Sequence, residues 1–158
     1  MRLERTVRSL FHLGIGGLLL VSQAFGYDLV IGRDAHSVRY TQTDLLALDD
    51  TILETETPWT DGLLQFEGAH LATVLDDADI RAEQLLASAL NGYSVVISVA
   101  TAIEEGAFIA VQMDGRPMRV RDKGPFWLVF PWSDKPELLN REVRSWSIWQ
   151  LQRLEPVE

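Results

Sequence analysis

The chain has 158 residues, no cysteine and a formal net charge of −9. That length suits one domain with its own core, while the acidity makes phosphate backbones and anionic lipid heads poor partners. The missing thiols exclude disulfides, thiolate metal sites and cysteine nucleophiles.

The N-terminus sets Arg2, Arg5 and Arg8 against Glu4, then runs apolar over residues 10–21, and Ala24-Phe25-Gly26 supplies the small residues a signal peptidase reads. Residues 1–26 therefore read as a secretory signal peptide, cleaved after Ala24 or Gly26, ahead of a single domain over 27–158. The alternative, an uncleaved anchor, is disfavoured because the run falls short of the ~20 apolar residues of a spanning helix. The arginines are isolated, which points to the general secretory route and a periplasmic destination, with no membrane insertion after cleavage.

In the remaining chain, residues 28–31 read as a short first strand. Thr41 is placed to cap a helix, with Asp44 three residues on. Residues 51–57 alternate apolar and polar side chains, as a half-buried strand ending at Pro58 does. Leu71, Val74, Leu75 and Ala78 recur at helical spacing after Phe66-Glu67-Gly68. Asn91-Gly92 between residues 85–90 and 93–99 is a strong hairpin signal. Strands over 108–113 and 126–130 flank a turn at Asp114-Gly115-Arg116-Pro117; one or two helical turns over 136–143 and a final strand over 148–154 complete the set. Strands dominate, with short helices attached, so the expected class is α+β, a mixed β-sheet domain.

Few clusters carry chemistry on their own. His36 and His70 lack paired ligand spacing, and Asp76, Asp77 and Asp79 lack the spacing and glycine of a calcium loop. Glu104-Glu105 reads as a solvated helix end, and no carboxylate pair is arranged for general acid and base. No catalytic residue and no metal ligand is assigned.

The ordered segments FEG-x-x-L-x-x-VL (66–75), NGY (91–93), DGRP (114–117), DKGPFWLVFP (122–131) and SIWQLQRLE (147–155) together resemble the molybdopterin-binding domain of the sulfite oxidase family, and more closely its small stand-alone bacterial members. The resemblance implies that family's fold and a pterin ligand. It also implies that a cysteine thiolate completes the metal's sulfur ligands, yet the matching segment here is Thr55-Glu56-Thr57-Pro58-Trp59, whose hydroxyls cannot supply a soft anionic ligand. Exported molybdenum enzymes of this kind carry a twin-arginine signal because they fold around their cofactor before crossing; this leader has none.

The expectation is thus a non-catalytic periplasmic protein that binds a metal-free pterin, without molybdenum, and signals to the periplasmic domain of a membrane receptor. Two other readings stay open: a ligand-free interaction domain, and a molybdenum oxidoreductase whose metal ligands come from elsewhere. A flat heterocycle needs stacking surfaces and a few fixed polar groups. Trp59, Trp132 and Trp149 are the stacking candidates; Thr57, Asn91, Tyr93, Arg121 and Lys123 are the polar ones, the two cations standing at a loop mouth beside Gly124-Pro125. Each has a plainer role available, the tryptophans as core residues, Asn91 as a turn residue, and Arg121 and Lys123 as solvated charges.

Overall fold

A computed structural model describes residues 26–157; the leader expected over 1–26 lies almost wholly outside them. The first sheet is built from β1 (Leu29–Ile31), β2 (Val38–Tyr40), β5 (Gln84–Ala89), β6 (Ser94–Ser98) and β10 (Leu151–Pro156), in the order β2-β1-β10-β5-β6. Its neighbours run antiparallel except β1 and β10, which pair in parallel with Val30 opposite Arg153. The second sheet contains β3 (Ile52–Thr55), β4 (Leu64–His70), β7 (Phe108–Met113) and β8 (Arg116–Pro117), in that order, with β9 (Trp127–Val129) also paired to β7. Strands β8 and β9 share one edge of β7 end to end, β8 at Gln112 and Met113 and β9 at residues 108–110.

Strand β9 is buried throughout and joins the two sheets. Leu128 N–H donates to Ile148 O at 3.0 Å, and Leu151 N–H donates to Phe126 O at 2.9 Å, so the approach to β10 is fastened along β9. One hydrophobic core collects side chains from both sheets, with Phe66, Phe108, Phe126, Trp127 and Phe130 fully enclosed. Chains of strongly apolar residues such as 126–130 read as buried strands because both faces are covered.

Helix α1 (Gln42–Leu48) starts as its sequence requires: the Thr41 hydroxyl accepts from Asp44 N–H, and the Asp44 carboxylate accepts from Thr41 N–H at 2.7 Å, a reciprocal capping box. Gln42 then reaches across the molecule, its amide Nε2 donating to the carbonyls of Val111, Met118 and Pro125. Helix α2 (Leu71–Asp77) buries Leu71, Val74 and Leu75, the apolar stripe expected from their spacing.

Several elements differ from expectation, each for a local reason. Phe66, Glu67 and Gly68 belong to β4, where the register shifts between Glu67 and Gly68; a Cβ at Gly68 would stand 2.0 Å from Ile109 O, so only glycine permits this approach of β4 to β7. The apolar run 93–99 divides, Val99 opening helix α3 (Val99–Glu104). Residues 136–143 split into a 3-10 turn (Pro136–Leu139) and helix α4 (Arg141–Trp146), because Asn140 caps the second with its Oδ1 accepting from Val143 N–H at 3.0 Å. The final strand begins at Leu151 rather than residue 148, since Gln150 takes a left-handed backbone (φ 53°) and kinks the chain.

Candidate functional site

Tryptophan 59 follows Pro58 in the loop after β3, and its ring is the hub of an aromatic cluster. It meets Trp132 at 5.6 Å, Trp149 at 5.7 Å and Trp127 at 6.2 Å between centroids, each contact edge to face. Such geometry sets the positive ring edge on the negative face and fixes ring orientation. Trp127 is held further by its indole N–H, which donates to Ser147 Oγ at 3.1 Å, while that hydroxyl donates to Leu128 O at 2.8 Å. Trp59 and Trp149 remain partly exposed on the outer side of this rigid backing.

A pocket of ≈ 210 Å³ opens there, lined by Trp59, Trp149, Asn91, Tyr93 and the segment around Arg144 to Ile148. Its geometry follows from three local decisions of the chain. The Asn91-Gly92 turn places Asn91 and Tyr93 at one rim, and Asn91 Oδ1 accepts from Tyr93 N–H at 3.0 Å. The Gln150 kink turns Trp149 out of strand geometry. The Asn140 cap starts α4, which supplies Arg144 and Ser145 to the opposite rim. Tyr93 closes the ring of contacts, its hydroxyl donating to Ser145 O at 3.0 Å.

Lysine 123 stands beside this pocket. Its ammonium lies 5.4 Å from the Trp149 ring centroid and 5.9 Å from that of Trp127, within reach of cation–π attraction. It takes a left-handed backbone (φ 69°), and its carbonyl accepts from Gln150 N–H at 2.9 Å.

The eight candidate residues thus fall into groups. Trp59, Asn91, Tyr93 and Trp149 line one pocket, with Lys123 against its Trp149 wall. Thr57 and Trp132 lie on the other side of Trp59 at a smaller hollow with Glu56, Pro58 and Ser133. Trp132 is buried, and its indole N–H has no acceptor among the described residues. Arg121 sits on the 3-10 turn Val120–Asp122 with its side chain 71% exposed, 3.8 Å from Asp122. Sequence reasoning did not single out Arg144 or Ser145; the available signal was Asn140 followed by Glu142, a helix cap with an acidic first turn.

The segment Thr55-Glu56-Thr57-Pro58-Trp59, which the resemblance matches to the family's thiolate-bearing segment, is filled by internal hydrogen bonds. Thr55 Oγ1 donates to Glu56 O at 2.9 Å and accepts from Ser133 N–H at 3.0 Å. Thr57 Oγ1 shares a 2.7 Å bond with Thr60 Oγ1 and accepts from Trp59 N–H at 3.2 Å. These committed, neutral hydroxyls in a cysteine-free chain do not fit thiolate ligation of molybdenum. Among the described residues no group of three or more His, Cys, Asp or Glu side chains could hold a metal ion.

The family model of the oxidoreductase molybdopterin binding domain matches residues 27–133. The chain belongs to that family. Among solved structures it is similar to the sulfane dehydrogenase SoxCD of Paracoccus pantotrophus, with a TM-score of 0.58 and 18% identity over 82% of this chain. The match takes in 37% of the SoxCD chain, and at that identity it shows a shared fold. No curated protein matches in sequence. The fold is thus the sulfite oxidase-type molybdopterin-binding fold, as the ordered motifs implied. In this molybdopterin-binding domain, the pocket wall at residues 144–149 lies beyond the span of the family match.

Proposed function

We propose that this molybdopterin-binding-family domain binds a metal-free pterin in the pocket between Trp59, Trp149 and the Asn91–Tyr93 turn, without catalysing a reaction. The observation that carries this reading is the pairing of an aromatic pocket with a cysteine-free chain whose Thr55 and Thr57 hydroxyls are spent on internal hydrogen bonds. A volume near 210 Å³ is below the ≈ 300–1,000 Å³ of pockets for drug-sized ligands, and it suits a two-ring heterocycle better than the larger dithiolene cofactor. The partly exposed ring of Trp149 offers a stacking face, and Tyr93 and the Asn91 carboxamide offer polar groups to the ring edge.

In the same proposal the protein works in the periplasm, exported unfolded, where it meets its ligand as a free molecule. A binder without chemistry acts through a partner, and the partner proposed is the periplasmic domain of a membrane receptor. The test is mass analysis of small molecules released from protein purified from its native compartment, together with its molybdenum content and titration with reduced and oxidised pterins. A released or titratable pterin at substoichiometric molybdenum supports the reading. Near-stoichiometric molybdenum would return the domain to the oxidoreductases, and no pterin affinity in either oxidation state would make it a ligand-free interaction domain.

A further inference from the structure

Outside residues 115–124, four of the described cations pair with carboxylates. Arg39 pairs with Asp28, Arg81 with Asp76, Lys135 with Glu105 and Arg153 with Glu155. The lobe formed by β8 and the following 3-10 turn breaks the pattern: residues 115–124 carry Arg116, Arg119, Arg121 and Lys123 against the single carboxylate of Asp122. Arg119 Nε binds that carboxylate at 2.8 Å and Arg121 Nε approaches it at 3.8 Å, so one anion serves two guanidinium groups. Arg116 is exposed and has no carboxylate partner among the described residues, and Lys123 faces tryptophan rings instead.

The lobe also has a concave face. A groove of ≈ 630 Å³ runs between Arg116, Arg119 and Asp122 over Met113, Pro117 and Met118. Methionine floors adapt to varied apolar side chains, and a rim of unbalanced positive charge selects acidic ones. On a protein of net charge −9, a local excess of cations steers an acidic partner toward this face.

We infer that the Arg116–Lys123 lobe is the docking surface for an acidic, apolar-interrupted segment of a partner protein, and that Lys123 couples this surface to the pterin pocket. The coupling half rests on the pterin reading. Its physical basis is short: Gln150 Nε2 donates to Val120 O at 2.9 Å and Gln150 N–H to Lys123 O at 2.9 Å, binding the lobe to the residue next to Trp149. A ring bound in the pocket packs on the same Trp149 indole that Lys123 contacts. Ligand and partner then alter each other's affinity reciprocally.

The experiment is a titration of the protein into a dye-labelled synthetic peptide alternating glutamate and leucine, read by anisotropy at low and high salt, with a lysine–leucine peptide as control. Saturable, salt-sensitive binding of the acidic peptide is expected, weakened about tenfold by Arg116→Glu and further by Arg116→Glu with Arg119→Glu. The Arg116 side chain makes no hydrogen bond or ion pair among the described residues, so a loss of binding in Arg116→Glu with an unchanged melting temperature reads on docking. Equal binding by wild type and Arg116→Glu overturns the surface, as does indifference to the peptide with capture by phosphatidylglycerol vesicles, which would assign the lobe to membranes. Repeating the titration with saturating reduced pterin should shift the peptide affinity in wild type and not in Lys123→Ala; no shift overturns the coupling. Peptide binding in a protein that takes no pterin leaves the docking surface standing and removes the pterin reading, so the two failures are distinct.

Discussion

The Tyr93 hydroxyl donates to the Ser145 carbonyl at 3.0 Å across 52 residues of sequence, fastening the β5–β6 hairpin to α4 over the mouth of the pocket. Removing only that hydroxyl, in Tyr93→Phe, keeps the ring and releases the rim. A hydrogen bond of this kind contributes about 1 kcal/mol, so pterin affinity should fall roughly 3- to 10-fold with a drop in melting temperature of no more than a few degrees. Fluorescence titration and thermal unfolding of the same samples measure the two effects. An unchanged dissociation constant would show that the strap does not shape the site.

Trp132 and Trp149 both touch Trp59, but on different sides. In Trp132→Phe the unpartnered buried N–H disappears along with part of the ring area, and these effects oppose each other. Stability should change by less than about 1.5 kcal/mol, and pterin affinity by less than about twofold, within the tolerance of a volume-reducing aromatic exchange. Trp149→Ala should abolish measurable binding. A large loss of affinity in Trp132→Phe would move the ligand to the hollow beside Thr57.

Gln42 satisfies three carbonyls belonging to β7, the basic lobe and the turn before β9. Gln42→Ala leaves the Met118 and Pro125 carbonyls without this donor, while Val111 O keeps the Met118 N–H at 2.9 Å; the cost is about 1–3 kcal/mol for each group that cannot reach water. The expected result is a loss of about 2–4 kcal/mol by urea unfolding, with faster amide exchange in residues 111–125. A change under 0.5 kcal/mol would mean that water replaces the amide.

Asp49 accepts from Thr51 N–H at 2.9 Å, from His70 N–H at 3.1 Å and from the His70 ring at 2.8 Å. Burial works to raise its pKa, but the hydrogen bonds from Thr51 and His70 outweigh it and hold the carboxyl well below the usual range. A depressed carboxyl stabilises the fold fully above its unfolded value near pH 4 and loses that contribution as pH falls through the folded value. Wild-type stability should therefore drop more steeply below about pH 4 than that of Asp49→Asn. Parallel pH profiles for the two proteins would remove Asp49 from the acid response.

Local chemistry made much of the fold legible. The Thr41 and Asp44 pair, the Asn91-Gly92 turn and the 3.6-residue spacing in α2 each depend on neighbours a few residues away. Strand β4 was hidden because its decisive residue, Gly68, is explained only by the approach of Ile109 from a distant strand. Helix α3 was hidden because an apolar run has no period that separates a strand from the helix following it. The pocket was partly legible for the same reason: Trp59, Asn91, Tyr93 and Trp149 come from three distant segments, and ordered motifs rather than local pattern linked them. Arg144 escaped notice because the split at Asn140 was needed before its helix could be placed.

The parallel pairing of β1 with β10 sets Val30 beside Arg153 in the middle of the first sheet. Contacts of such high sequence separation carry a large loop-closure cost and form late. The first sheet cannot close until β10 has been made, because β10 is its central strand. Until then β1 and β2 have only each other as partners within that sheet, so the N-terminal strands wait on a segment more than 110 residues away.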